Sequence, residues 1–450
     1  MVYEGVRIFG WCNSTSIIFK MIDKQSKSRD SKFFNIWEYP FFAICMGYVW
    51  IEQINPLIGH KLQLIPMIPN SAIALILSHF IIPSQIKKIY LFSNPVKWAL
   101  PFLILAAINL PFIDIQQERS IKELIITWFW VIFLIPMMIR LLSTSSGRLH
   151  YLIFATIAML GVCIEYYQVL LTFERNIDED IFISRHHLTY AGIGVFPIMI
   201  GYAFLKKGII RYFLIVSIVF LLICIIPSGA RSAWLVMPIQ LILLFKFVLP
   251  VSRTIIIGSF LSVLLIIGVR FIEFDDLYTL DTLAHFETRV RKFYEWQDDN
   301  TVWKRFGMII KAKLILEEYP LLGVGYSNKS FTYFDGGDVL FMGRVAAVRQ
   351  VDAHNTYINI LGTTGILGFL AFLFYTKNIF RVIKKTDRFI LKQIDIGSFI
   401  VAMIGVLLNM NFLTFGFNHF AIITAIIPAV YNYQETLRIN YFNQKIYSLK

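Results

Sequence analysis

His354 and Asn355 sit in Asp352-Ala-His-Asn-Thr-Tyr-Ile-Asn-Ile-Leu-Gly (352–362), where a polar segment gives way to a long apolar run. A helix start disfavours imidazolium, so a histidine there would stand neutral and able to accept a proton. On these residues alone a capping or structural histidine is the alternative. Arg231 lies in Pro227-Ser-Gly-Ala-Arg-Ser-Ala-Trp234, a tight turn opening another apolar run, with Ser228 or Ser232 as the cap. Arginine beside a helix N-terminus suits an anion such as phosphate; an interfacial arginine on lipid headgroups accounts for it equally well. Arg305 begins an amphipathic run and could join that site or form a surface salt bridge. Arg185-His186-His187, and His419 beside Asn418, could line the same cavity, and the latter pair suits interhelical hydrogen bonding as well.

Other chemistry has no footing. There is no His-Glu-x-x-His and no cysteine–histidine cluster, so neither a metal nor a cofactor is expected, and no P-loop is present. Cys12, Cys45, Cys163 and Cys224 have no metal or disulfide spacing. The acidic groups Asp178-Glu-Asp180, Asp275-Asp276 and Asp298-Asp299 read as solvated loop charge ahead of a cation site.

The elements that must position these residues are membrane helices. Of 450 residues 57% are hydrophobic and only 16% charged, with mean hydropathy +0.64, against roughly 25% charged in soluble domains. Runs long enough to span a bilayer fall near 36–54, 63–82, 97–114, 121–142, 149–172, 188–205, 210–227, 232–250, 253–272, 355–376, 391–411 and 416–433. The expected fold is therefore an all-α polytopic membrane protein of about twelve spans, with a transmembrane region over 36–433 and short tails at 1–35 and 434–450.

The net charge of +13 fits basic cytoplasmic loops better than a nucleic-acid partner. With the N-terminus inside, the inner loops hold Lys87, Lys88, Arg140, Arg148, Lys206, Lys207, Arg211, Lys246 and Arg253, then Lys377 to Lys392 and the C-terminal tail. The opposite loops are sparse in charge or mixed. That topology puts both termini in the cytoplasm and segment 273–353 outside. A loop of about 80 residues is long enough to be functional. Val302, Phe306, Ile309, Ile310, Leu314 and Leu316 recur in it at helical spacing until Pro320, which predicts a helix lying against the outer face.

Pro320-Leu-Leu-Gly-Val-Gly325, Ala353-His-Asn-Thr-Tyr357, Leu361 and Gly365-Ile-Leu-Gly368 together resemble the shared domain of O-antigen ligases and O-antigen polymerases, over about 220–375. Ser228-Gly-Ala-Arg-Ser232 is similar to that family's Ser-Arg-Gly helix start, with Ser232 in place of the glycine. Arg305 stands where the family has a second arginine, and Ile309 where an aromatic residue is common. The resemblance implies a GT-C-type, metal-independent glycosyltransferase, multi-pass in the bacterial inner membrane and acting at its periplasmic face. Its donor would be an undecaprenyl-diphosphate-linked glycan; Arg231 and Arg305 would bind the diphosphate, and His354 would activate the acceptor hydroxyl. Membrane lipids and a chain-length regulator are the further partners it implies.

Two reactions fit. A polymerase joins the lipid-linked glycan to a lipid-linked repeat unit, and the divergent first half of the chain favours it. A ligase moves the glycan to lipid A-core. A polysaccharide transporter or flippase would carry repeats and mid-membrane charges, whereas here the distinctive polar residues gather beside one loop. A non-catalytic scaffold leaves them without a role.

Overall fold

The computed structural model describes residues 94–112, 116–129, 131–132, 135–171, 177–225, 228, 231–249, 300–335, 337–341, 344–347, 354–412, 420, 424–435 and 437. The tail 1–35, the runs at 36–54, 63–82 and 253–272, the loop start 273–299, and Asn418 and His419 lie outside the described residues.

Among the described residues, seven apolar helices form the body. They are α1 (Asn94–Asn109), α4 (Ser145–Leu171), α5 (Ile177–Leu205), α6 (Ile209–Ile225), α7 (Arg231–Phe247), α10 (Thr356–Lys385) and α12 (Ile394–Asn409), with the single turn α11 (Arg388–Leu391) between the last two. Four of these, α1, α4, α5 and α10, are long and apolar enough to cross a membrane; α6, α7 and α12 are shorter apolar helices. α5 is the central one, with 78% of its apolar window buried against 39–50% for the other three. The interior prolines Pro101, Pro197 and Pro238 sit within α1, α5 and α7, a load that packed neighbouring helices tolerate. Polar side chains on apolar helices turn back onto their own backbone. Ser217, Thr376 and Asn378 each donate to the carbonyl four residues earlier, at 2.8, 2.9 and 3.0 Å.

The run expected to span at 121–142 is instead two helices, α2 (Gln117–Phe129) and α3 (Ile135–Leu142), with residues 131–132 in a π turn between them. α2 is amphipathic, because Glu118, Arg119 and Lys122 interrupt its apolar side. Its polar residues bond the loop: Ser120 Oγ lies 3.0 Å from Ser330 Oγ, Thr127 Oγ1 3.1 Å from Tyr326 Oη, and Ser327 Oγ donates to Glu123 Oε1 at 3.0 Å.

The described part of the long loop folds around its own small core. α8 (Asn300–Glu318) ends before Pro320 as the sequence predicts. α9 (Asn328–Tyr333) follows, then an antiparallel hairpin of β1 (Asp338–Phe341) and β2 (Arg344–Ala347), a small exception to the helical pattern. Met308, Ala312, Ile315, Val324, Phe331 and Phe334 are buried together, with Ile358 of α10 against them. The buried stripe of α8 is thus rotated from the predicted one, and Ile309 is 52% exposed. Lys311 lies on that stripe, fully buried, donating to Thr332 O at 2.7 Å with its ammonium 5.7 Å from the Phe331 ring centroid.

One inner-loop charge is not a loop charge. Arg148 is fully buried and forms a 2.6 Å ion pair with Asp395 in the first turn of α12, while donating to Leu142 O at 2.9 Å. The Tyr433 ring lies 4.8 Å from its guanidinium carbon.

Candidate functional site

Helix register decides which residues share an end of the bundle. Gly405 faces Gln240, and Gly397 faces Val248, so α7 runs antiparallel to α12. Gly201 faces Ser398, so α5 does too. Gln240 Nε2 closes the set by donating to Ile193 O at 2.9 Å. The start of α7 at Arg231, and residues 185–187 in the first half of α5, therefore lie at the end of the bundle where α12 finishes. The Arg148–Asp395 pair marks the opposite end.

α10 begins at that same end. Asn355 is its N-cap: Oδ1 accepts from the Tyr357 and Ile358 N–H groups at 2.9 and 3.1 Å, and Nδ2 donates to Asn411 O at 3.3 Å. The Thr356 N–H, another unpaired donor of the first turn, goes to Met410 O at 2.9 Å. The turn that closes α12 (409–412) is thus bonded to the start of α10. His354 precedes the cap and is half-buried; the capping role belongs to Asn355. Asn355, expected to line the cavity, has both ends of its amide engaged in holding the helix start.

Arg305 reaches the same turn from α8. It is exposed, with its guanidinium carbon 5.4 Å from the Phe412 ring centroid. The turn is thus met both by Arg305 and by Asn355 and Thr356, the two residues that follow His354. Arg231 is the first residue of α7, and Ser228 Oγ donates to Ile225 O at 2.7 Å, which also accepts from Trp234 Nε1 at 3.3 Å. These bonds tie the end of α6 to the first turns of α7. Two helix N-termini, each with a positive end, therefore lie at the same end of the bundle as Arg305.

What holds α8 against α10 is a break in α10. At Gly365 the backbone turns to φ 64°, ψ −169°, and the helix restarts. A break leaves carbonyls of the first half and N–H groups of the second without partners. Segment 320–325 supplies them. Val324 and Gly325 N–H groups donate to Gly362 and Thr363 carbonyls at 3.1 and 3.0 Å, and the Pro320 and Leu321 carbonyls accept from Ile366 and Leu367 at 3.0 and 3.1 Å. Asn109 at the end of α1 adds a bond from Nδ2 to Leu322 O at 2.6 Å. The approach needs glycine on both sides. A Cβ on Gly365 would fall 2.4 Å from the Leu321 carbonyl, and one on Gly323 (φ 69°) 2.4 Å from Gly362 O.

Sequence reasoning missed this insertion, Asn109 and the 409–412 turn; the paired Gly323–Gly325 and Gly365–Gly368 were the available signal. No group of three or more potential metal ligands occurs among the described residues.

Apolar helices of spanning length, one of them broken and spliced by the segment that follows α8, define a helical membrane protein. Residues 216–373 match the sequence profile of the O-antigen ligase family, so the chain carries an O-antigen ligase-related domain. The matched stretch runs from α6 into α10 and contains Arg231, Arg305, His354 and both strands of the splice, but not Asn109 or the 409–412 turn. No curated protein is significantly similar to the chain.

Proposed function

We propose that the chain is a multi-pass glycosyltransferase of the bacterial inner membrane that polymerises a surface polysaccharide at the periplasmic face. Its donor is an undecaprenyl-diphosphate-linked glycan and its acceptor a lipid-linked repeat unit. The observation that carries this is that Arg305 and the start of α10, which His354 immediately precedes, both meet the 409–412 turn at the end where α7 opens with Arg231, with all three residues inside the matched domain.

In this reaction His354 accepts the proton of an acceptor hydroxyl as that oxygen attacks the anomeric carbon, with inversion. The bond from that carbon to the diphosphate oxygen breaks, and the electron pair leaves with undecaprenyl diphosphate. Arg231, Arg305 and the helix N-termini stabilise the charge developing on the leaving group, so the step needs no metal. Arg185, His186, His187 and His419 belong to the proposed wall of the cavity.

His354→Ala, Arg231→Ala and Arg305→Ala are each expected to abolish glycan transfer in proteoliposomes while membrane insertion stays normal. Wild-type rates in all three would sink the mechanism. The matched family's description names an O-antigen ligase, and a ligase reaction, with lipid A-core as acceptor, is the second reading. A deletion strain separates them: core capped with a single repeat means a lost polymerase, and bare core with accumulated lipid-linked polymer a lost ligase.

A further inference from the structure

We infer that Asn409 binds substrate, its carboxamide pairing with a sugar hydroxyl next to the linkage being made. This rests on the glycosyl-transfer reading above. Asn409 is the last residue of α12 and only 1% exposed. Neither its Nδ2 nor its Oδ1 has a hydrogen-bond partner among the described residues. Buried amides are ordinarily paired, and one left with both ends open is costly unless something fills the place.

Its position says what fills it. Asn409 lies one helical turn beyond Gly405, the residue that faces Gln240, and so on the side of α12 turned toward α7, whose first residue is Arg231. Its own carbonyl accepts the Phe412 N–H at 2.8 Å, closing the turn on which Arg305 rests and to which the start of α10 is bonded. The open amide thus lies at the same end of the bundle as the groups assigned to the diphosphate and the acceptor, in the turn that Arg305 and the start of α10 both meet.

The chemistry separates the two ligand groups that the glycosyl-transfer reading brings there. A phosphate offers only acceptors and would leave Oδ1 facing an anion. A hydroxyl both donates and accepts, and matches an amide with both ends free. The hydroxyls of the transferred sugar are the groups of that kind nearest the diphosphate.

The test is Asn409→Leu in proteoliposomes supplied with lipid-diphosphate-linked oligosaccharide, with KM and kcat measured separately and Tm followed in detergent. Leucine has a similar size, and replacing an unpaired amide should leave Tm unchanged or higher. KM for the donor glycan should rise roughly tenfold, the loss of a good hydrogen bond. KM decides the matter, because it does not depend on how much enzyme is folded. A donor KM within about twofold of wild type overturns the assignment, whatever Tm or the acceptor KM does. Asn409→Ala is read in the same way should leucine not yield folded protein. Wild-type protein that transfers no glycan defeats the functional reading and this assignment together. Normal wild-type transfer with an indifferent Asn409→Leu defeats this assignment alone.

Discussion

Gly365→Ala tests the splice between the loop and α10. At φ 64°, ψ −169° the backbone is in a region essentially reserved for glycine, so any side chain costs about 1–3 kcal/mol in strain. The added Cβ also falls 2.4 Å from the Leu321 carbonyl, which is backbone and cannot turn away. Segment 320–322 must then retreat, releasing the bonds from Ile366 to Pro320 and from Leu367 to Leu321, each worth about 1 kcal/mol net. Together the local cost is about 3–5 kcal/mol. That is enough to detach the segment, yet no more than part of the roughly 5–15 kcal/mol that holds a typical fold. Amide exchange in detergent should show Val324, Gly325, Ile366 and Leu367 losing protection while α5 keeps its own, and glycan transfer should fall as Arg305 loses its fixed relation to His354. Gly337→Ala is the control: it has φ 66° but nothing within 4 Å of an added Cβ, so it carries strain without the clash. Protection of all four amides at wild-type levels in Gly365→Ala would refute the reasoning, independently of any activity.

Two further outcomes follow from the ends of the bundle. Asn355→Ala removes the cap of α10 and its tie to Asn411, and should cost about 1–2 kcal/mol in detergent unfolding, with Asn355→Asp restoring the cap but not the tie. Arg148→Leu leaves Asp395 without its partner and should cost about 3 kcal/mol, at the low end for a broken buried pair because Asp395 is partly exposed. The double change Arg148→Leu with Asp395→Leu should recover most of that loss.

Composition and apolar run length make the membrane class and most helix positions legible, because lipid leaves the backbone few alternatives to helix. Runs at 97–114, 149–172, 188–205, 210–227, 232–250, 355–376 and 391–411 each correspond to one of the apolar helices. Hydropathy fails where tertiary contact decides. The 121–142 run counts as one span by average, yet α2 spends its polar residues on the loop. Arg148 looks like an orientation signal because a charge count does not see Asp395, far along the chain. The α8 stripe is misread because Lys311 is charged but buried, which only its bond to Thr332 explains. Arg305 and His354 could be singled out by residue type and flanking pattern. The turn that joins them could not, since Met410 to Phe412 is apolar or neutral and acts through backbone and ring.

The break in α10 has a consequence for assembly. It comes nine residues after Thr356, inside an apolar helix, and four of the backbone groups at it, the Gly362 and Thr363 carbonyls and the Ile366 and Leu367 N–H groups, are taken by a segment synthesised earlier. Unpaired, those groups would cost several kcal/mol each in hydrocarbon. A straight α10, with Gly365 hydrogen-bonded in an ordinary helix, leaves none of these groups open, whereas the bent form needs residues 320–325 in place. The shape of this one helix is in this way coupled to the folding of the segment that precedes it.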